Sequence, residues 1–374
     1  MTEFKRRIFY IGGFDPRGVR FYYHLLKEQV ARYAAKTGED VVVSPRQKAS
    51  PVRSDWTVRN ATQDVTTDYT FLRWEDIVQQ AWIKNPLQLV TRGARTYLAH
   101  IRHLDFKWAR ELPNGPLVTM FYPPILAVVI PLLIALPLFL VGLIWLSWWI
   151  ALLGGLAIGI AAALPILGLI RVPWLMRFFI FNSELCTGEG SPELQARLDA
   201  FAEAMDAGID GDEDEILLVS HSNGSIIAML ALDRLLERRG GALPAQFAVL
   251  TYGHSIPLVA GRRDATIFRR RLANIAARDF HWVDVGSPPD GAAFHGVNPM
   301  VTVASDPKPR MDLLNPRFYR FYDAANYKTG FASKYEVHFD YLRVADRVSP
   351  IDLPSITASR RPIAAAVAAF RDIP

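Results

Sequence analysis

Between Leu117 and Ile170 the chain runs without a single charged residue, where about 20 apolar residues suffice to cross a bilayer as a helix. The pattern predicts two crossings joined tightly: one helix from about Pro124 to Leu146 and a second from about Ile150 to Ile170. Ser147, Trp148 and Trp149 fall at the turn, the interfacial depth that tryptophan prefers. Pro131, Pro137 and Pro165 are tolerated in such helices when neighbours satisfy the freed carbonyls, and Gly154, Gly155 and Gly159 allow two helices to approach closely. The prolines leave a second geometry open, a wedge that enters one leaflet and returns on the same side. A buried hairpin of a soluble core is the third reading, and such helices rarely run this long without a charge. Arg92, Arg95, Arg102, Lys107 and Arg110 precede the run, and Arg171 and Arg177 follow it. The positive-inside rule therefore puts both flanks in the cytoplasm.

Outside this run the hydrophobic pattern alternates between strand and helix periods, as in an α/β domain with a mainly parallel sheet. Arg7 to Ile11 reads as a strand ending in Gly12-Gly13-Phe14-Asp15-Pro16-Arg17-Gly18, and a helical pattern follows from Phe21 to Lys36. Glu39 to Ser44, Trp56 to Arg59 and Val65 to Trp74 look extended. Glu75 to Lys84 and Leu87 to Trp108 read as helices leading to the apolar run, material for a cap. Beyond it, Ser191-Pro192-Glu193 opens a helix to about Met205. Ile216 to Val219 fits a buried strand, Ile226 to Arg238 a helix, Phe247 to Tyr252 and Phe280 to Val285 two more strands, with a basic helix from Arg262 to Arg278 between them. The acidic stretch from Asp210 to Glu215 reads as a solvated loop, since it lacks the ligand spacing of a metal site. The organisation is thus 1–116, first part of the α/β domain with membrane-proximal helices; 117–170, an inserted transmembrane hairpin; and 171–374, the second part of the domain.

Composition narrows the function. Lys and Arg number 42 against 37 Asp and Glu, an excess too small to imply nucleic acid, and no nucleic-acid motif accompanies it. The mean hydropathy of +0.12 at 21% charged residues reflects apolar residues gathered in one place. Cys186 is the only cysteine, so no internal disulfide forms and an oxidising compartment is not required. The basic N-terminal stretch is interrupted by Gly12, Gly13 and Asp15 before it can form a signal-peptide core.

Leu217-Leu218-Val219-Ser220-His221-Ser222-Asn223-Gly224-Ser225-Ile226 resembles the nucleophile elbow of the α/β-hydrolase superfamily, in which G-x-S-x-G joins a strand to a helix. The resemblance implies an α/β-hydrolase-like sheet interrupted by the hairpin, with Ser222 as nucleophile. Ser220 stands where the family has its first glycine, a departure that weakens the match; the bland alternative for Ser222 is a helix cap. The family order of serine, acid, histidine restricts the partners to later residues. Asp290, in the loop Gly286-Ser287-Pro288-Pro289-Asp290-Gly291 after a strand, is the expected acid. Asp284 is the alternative, with Asp306 and Asp264 behind it. His338, near the C-terminus, fits the general base; His295 and His254 read as pocket lining or ordinary polar residues, and His221 as pointing elsewhere. The oxyanion hole is expected from the amide of Asn223 and that of Gly13 or Phe14. The glycines after the first strand fit no phosphate loop, since neither G-x-G-x-x-G nor a P-loop lysine is present.

The expected function is therefore a membrane-anchored serine hydrolase, without cofactor or metal, cleaving a small-molecule or lipid ester through an acyl-enzyme. It would be an integral protein of an inner or plasma membrane, with the bilayer as partner and both termini and the catalytic domain cytoplasmic. The alternative is an inactive hydrolase fold serving as a membrane scaffold or signalling protein.

Overall fold

The computed structural model describes residues 2–188, 190–209, 211–327 and 334–373. Among the described residues nine strands form one sheet: β1 (Phe4–Ile11), β2 (Val41–Val43), β3 (Gln47–Ser50), β4 (Arg53–Asn60), β5 (Val65–Leu72), β6 (Glu215–His221), β7 (Phe247–Tyr252), β8 (His281–Val285) and β9 (Arg310–Leu314). Their order is β2-β4-β5-β1-β6-β7-β8-β9, with β3 also on β4. From β5 to β9 every neighbouring pair is parallel, and β2, β3 and β4 close one side as an antiparallel edge. The chain is α/β with a mostly parallel central sheet.

The helices are α1 (Gly18–Thr37), α2 (Glu75–Gln80), α3 (Pro86–His103), α4 (Phe106–Ala109), α5 (Asn114–Gly142), α6 (Trp148–Leu169), α7 (Val172–Thr187), α8 (Pro192–Ile209), α9 (Gly224–Arg238), α10 (Pro257–Ala260), α11 (Thr266–Ala276), α12 (Phe318–Phe321), α13 (Lys334–Val337), α14 (Leu353–Ala358) and α15 (Ile363–Arg371). Strand alternation divides the core into two layers. Ile216 and Leu218 of β6, with Phe9 of β1 and Trp282 of β8, pack beneath α7, α8, α9 and α11. Leu217 and Val219, with Ile8, Tyr10 and Val283, pack beneath α1, α14 and α15. β6 is buried along its whole length, as a central parallel strand covered on both faces must be.

β1 lies between β5 and β6, and the chain builds outward from β1 first towards β5 and later, through β6, the other way. The carboxyl ends of β1 and β6 therefore flank a topological switch point, where open α/β sheets bind ligands.

The long α5 and α6 are apolar and long enough to cross a membrane. Most of their large side chains lie on the outside, Leu133, Leu136 and Leu169 among them. They pack on each other through small residues: a Cβ at Gly159 would stand 2.7 Å from the Pro131 carbonyl, and one at Gly155 3.0 Å from that of Ala135. Only backbones free of side chains approach so closely.

Several boundaries differ from the sequence expectation. The first apolar helix begins at Asn114 instead of Pro124, because its first turns are uncharged and dock on the domain, with Pro116, Met120 and Pro123 buried. Trp148 opens α6 with Ser147 as its N-cap, so the turn is shifted towards Leu143. The helix expected across Leu87 to Trp108 breaks at Leu104, whose backbone is extended, and Asp105 caps a separate α4 through the Lys107 amide. The basic helix starts only at Thr266. Arg262 is withdrawn into the interior, where it pairs with Asp264 at 2.5 Å and donates to Ser183 Oγ at 2.8 Å.

Candidate active site

The turn after β6 carries the sharpest local geometry. Ser222 has φ of 56°, a left-handed conformation that a non-glycine residue holds only at a cost of about 1–3 kcal/mol when its surroundings enforce it. The surroundings do so: the Ser222 N–H donates to the Tyr252 carbonyl at 2.8 Å, and the Ser222 carbonyl accepts from the Ser225 amide at 3.0 Å and the Ser225 hydroxyl at 2.7 Å. The turn also brings β6 against the loop after β1. A Cβ on Gly224 would lie 2.4 Å from the Ile11 carbonyl and 2.6 Å from that of Gly12, so glycine is required there. At the other small position, Ser220 sits within β6, opposite Ile11 of β1. Its hydroxyl is buried without a partner among the described residues. Serine fits the space and leaves one polar group unsatisfied.

His338 and Asp290 meet beside this turn. His338 Nδ1 and Asp290 Oδ2 are 2.8 Å apart, which fixes the imidazole with its proton on Nδ1 and leaves Nε2 to act as an acceptor. Asp290 is itself held on both sides: the Ala292 amide donates to Oδ1 at 3.0 Å and the Tyr341 hydroxyl to Oδ2 at 3.0 Å. Tyr341 in turn accepts from the Ser287 amide at 2.9 Å. Burial pushes the Asp290 carboxyl up, but the facing His338 and these hydrogen bonds outweigh it and hold the group below the usual carboxylate range.

Ser222 and His338 line one cleft of about 340 Å³, together with Gly13, Phe14, Asp15 and Arg17 from the β1 loop. Gly13 passes so close to the turn that a Cβ on it would stand 3.2 Å from Ser222 Cβ and 3.6 Å from its Oγ. The amides of Phe14 and Asn223 donate to no other group among the described residues. The structure thus brings together Ser222, Asp290, His338, Gly13, Phe14 and Asn223. Asp284 stands apart in β8, fully buried, accepting from Thr251 Oγ1 at 2.6 Å and lying 3.7 Å from His254 Nε2. His254 also contacts the Val297 carbonyl at 3.0 Å, and His295 packs against Gly286. Neither histidine lines the cleft.

His221 differs from expectation. It lines the cleft, and its Nε2 donates to the His338 carbonyl at 2.7 Å, the two rings 4.7 Å apart. Burial, and then the proximity of His338, push His221 down to about 3, so it is a neutral peg that holds the histidine-bearing segment against the turn. The parity of β6 foreshadows this, since His221 shares a face with Leu217 and Val219, the side on which Phe339 and Tyr341 pack. Tyr341 and Thr119 also contact this region without any local pattern in the sequence that marks them. Thr119, on the first turns of α5, donates from Oγ1 to the Gly291 carbonyl at 2.6 Å.

A serine in a strained turn, a histidine oriented by a buried carboxylate and two amides that donate to no group among the described residues are parts that can carry out nucleophilic acyl transfer. Comparisons of the chain with protein-family models, with curated proteins and with solved structures find no match.

Proposed function

We propose that the chain is a membrane-anchored serine hydrolase of the α/β-hydrolase type, cleaving an ester through an acyl-enzyme. The observation that carries this reading is the left-handed Ser222 sharing one cleft with His338, whose Nδ1 lies 2.8 Å from the buried Asp290 carboxylate. Helix capping alone does not require a strained serine, a buried acid and an oriented imidazole at one switch point.

In this reading His338 Nε2 takes the Ser222 proton as Oγ attacks the ester carbonyl, and Asp290 stabilises the imidazolium that forms. The Phe14 and Asn223 amides receive the negative charge on the tetrahedral oxygen, each worth about 10²–10³ in rate. His338 then protonates the departing alcohol, leaving the acyl group on Ser222, and activates the water that releases it.

The outward-facing apolar surface of α5 and α6 favours lipid around them over a soluble core, where such side chains would be buried. Arg95, Arg102, Lys107, Arg110 and Arg171 are exposed beside the hairpin base, which favours a cytoplasmic catalytic domain on an inner or plasma membrane.

Hydrolysis of a 4-nitrophenyl ester series by the detergent-solubilised chain tests the proposal. Turnover that falls by about 10³-fold or more in Ser222→Ala and His338→Ala is expected. A folded wild type without turnover, or variants that keep it, would favour an inactive scaffold.

A further inference from the structure

Helix α3 carries a face that no described residue covers. Its other side is fixed. Leu89, Gly93, Tyr97 and His100 are buried; a Cβ on Gly93 would lie 2.6 Å from Met176 Cε of α7, and the Tyr97 ring is 5.5 Å from that of Phe179. The helix therefore cannot roll to hide what it exposes. At 3.6 residues per turn, Leu87, Val90, Ala94, Leu98 and Ile101 fall within about 80° of one another on the outer side. All five are exposed, Leu87 by 73% and Leu98 by 69%. Arg95 and Arg102, also exposed, occupy the next strip around the helix. A continuous apolar stripe bordered by cations is more than the scattered leucines of an ordinary surface.

Two observations say what lies against it. The first is place. The His100 ring is 6.3 Å from that of Phe121 in α5, and the next residue, Tyr122, donates from its hydroxyl to the Ile170 carbonyl at 3.0 Å, joining α5 to the end of α6. α3 thus ends where the two apolar helices leave the domain. The second is charge. Between Pro86 and Leu104 there is no Asp or Glu. Arg95, Arg102, Lys107 and Arg110 are exposed and pair with no carboxylate among the described residues, whereas Arg92 pairs with Glu184. A second copy packed on the stripe would bring arginines to arginines, with no acid on the helix to answer them. An anionic leaflet answers them directly.

We propose that α3 lies in the plane of the membrane surface, its leucine stripe sunk at the boundary of headgroups and acyl chains, with Arg95 and Arg102 on anionic lipid headgroups. This goes beyond the hydrolase reading: it rests on the placement of α5 and α6 in a bilayer and not on the chemistry of Ser222. Burial of the stripe drives the contact and the cations select the lipid, as in amphipathic helices that lie on membranes. α7 carries Met176, which packs on α3, and also Trp174 and Arg177, which line the cleft. The docked α3 therefore holds the cleft beside the interface.

Single cysteines added to the full chain and labelled with nitrobenzoxadiazole test this in proteoliposomes, with nitroxide-bearing lipids as quenchers. The native Cys186 is 2% exposed and burial pushes its thiol up to about 12, so the label goes to the added site. The positions are Leu87→Cys and Leu98→Cys on the stripe, Gln88→Cys on the basic side, and Leu136→Cys in α5. The labels at 87 and 98 should be quenched at least about twofold more than the label at 88. That difference should be larger in phosphatidylcholine containing about one third phosphatidylglycerol than in phosphatidylcholine alone. Adding Arg95→Gln and Arg102→Gln should erase the gain while the label at 136 stays quenched, which reports an inserted chain. Equal quenching at 98 and 88, with 136 quenched, overturns the docking of α3 and leaves the hairpin in its membrane. No quenching at 136 overturns the membrane reading on which the proposal stands. Equal quenching in the two vesicle types overturns the anionic preference. Stripe labels that shift to the blue without being quenched by lipid, with Leu98→Cys chains cross-linking on oxidation, overturn the lipid assignment in favour of a second copy.

Discussion

Thr119 Oγ1 donates a 2.6 Å hydrogen bond to the carbonyl of Gly291, the residue that follows Asp290. Gly115 approaches the same loop, where a Cβ would come within 3.3 Å of the Gly291 Cα. The base of an apolar hairpin is thus fastened to the segment that carries the acid. A tilt of α5 is expected to act on Asp290 through these contacts, and through Asp290 on His338.

Thr119→Val keeps the shape and removes the donor, leaving a carbonyl short of a partner at a cost of about 1 kcal/mol. The expected result is a several-fold lower kcat with little change in KM, since the displaced group is the orienting acid and not the binding surface. Steady-state kinetics on a soluble ester check this; an unchanged kcat contradicts the coupling.

Acid should weaken the fold through His221 before it reaches Asp290, while Asp352, raised by burial to about 7, offsets part of that loss over the same range. His221, driven down to about 3 from 6.5 chiefly by burial, binds fewer protons when folded than when unfolded. Its contribution is therefore present above pH 6.5 and is lost as the pH falls towards 3, by at most about 1.4 kcal/mol per pH unit. Asp290, held low by His338 against the effect of burial, adds loss of the same sign below the usual carboxylate range. His221→Gln keeps an N–H for the His338 carbonyl and should flatten the limb between pH 6 and pH 4. Urea midpoints across that range measure it.

The two small positions of the elbow should respond oppositely. Ser220→Ala removes a buried hydroxyl without a partner among the described residues and should stabilise by about 1 kcal/mol. Gly224→Ala drives a Cβ into the Ile11 and Gly12 carbonyls, backbone that cannot move aside, and should destabilise by about 2–3 kcal/mol or prevent folding. Thermal melts of the pair decide it.

Tyr341→Phe withdraws a donor from Asp290 and an acceptor from the Ser287 amide. Stability should fall by about 1–3 kcal/mol through the orphaned amide. Activity should fall on the order of tenfold as Asp290 loses one of its restraints. Denaturant titration alongside initial rates separates the two effects.

What the sequence makes legible is what local pattern encodes. Ile216 to Val219, the turn and the helix after it stand out because an uninterrupted apolar strand meets small residues at a fixed offset, and β7 lies where its apolar run predicts. The hairpin is legible from the missing charges. Its start is not, because an uncharged residue docked on protein, such as Met120, looks the same in sequence as one facing outward. β9 escapes notice because Arg310–Leu314 is a partly exposed edge strand mixing Arg and Asp with Leu. The peg His221, the brace Tyr341 and the strap Thr119 act across gaps of 117, 51 and 172 residues, and no local period encodes such pairings.

Labelling of the detergent-solubilised chain with a fluorophosphonate, with the modified residue located by peptide mass spectrometry, tests directly whether Ser222 is an activated nucleophile. An activated serine predicts stoichiometric modification at Ser222, abolished in Ser222→Ala and strongly slowed in His338→Ala and Asp290→Asn. A folded wild type that stays unmodified, or modification at another residue that survives Ser222→Ala, would contradict an activated Ser222.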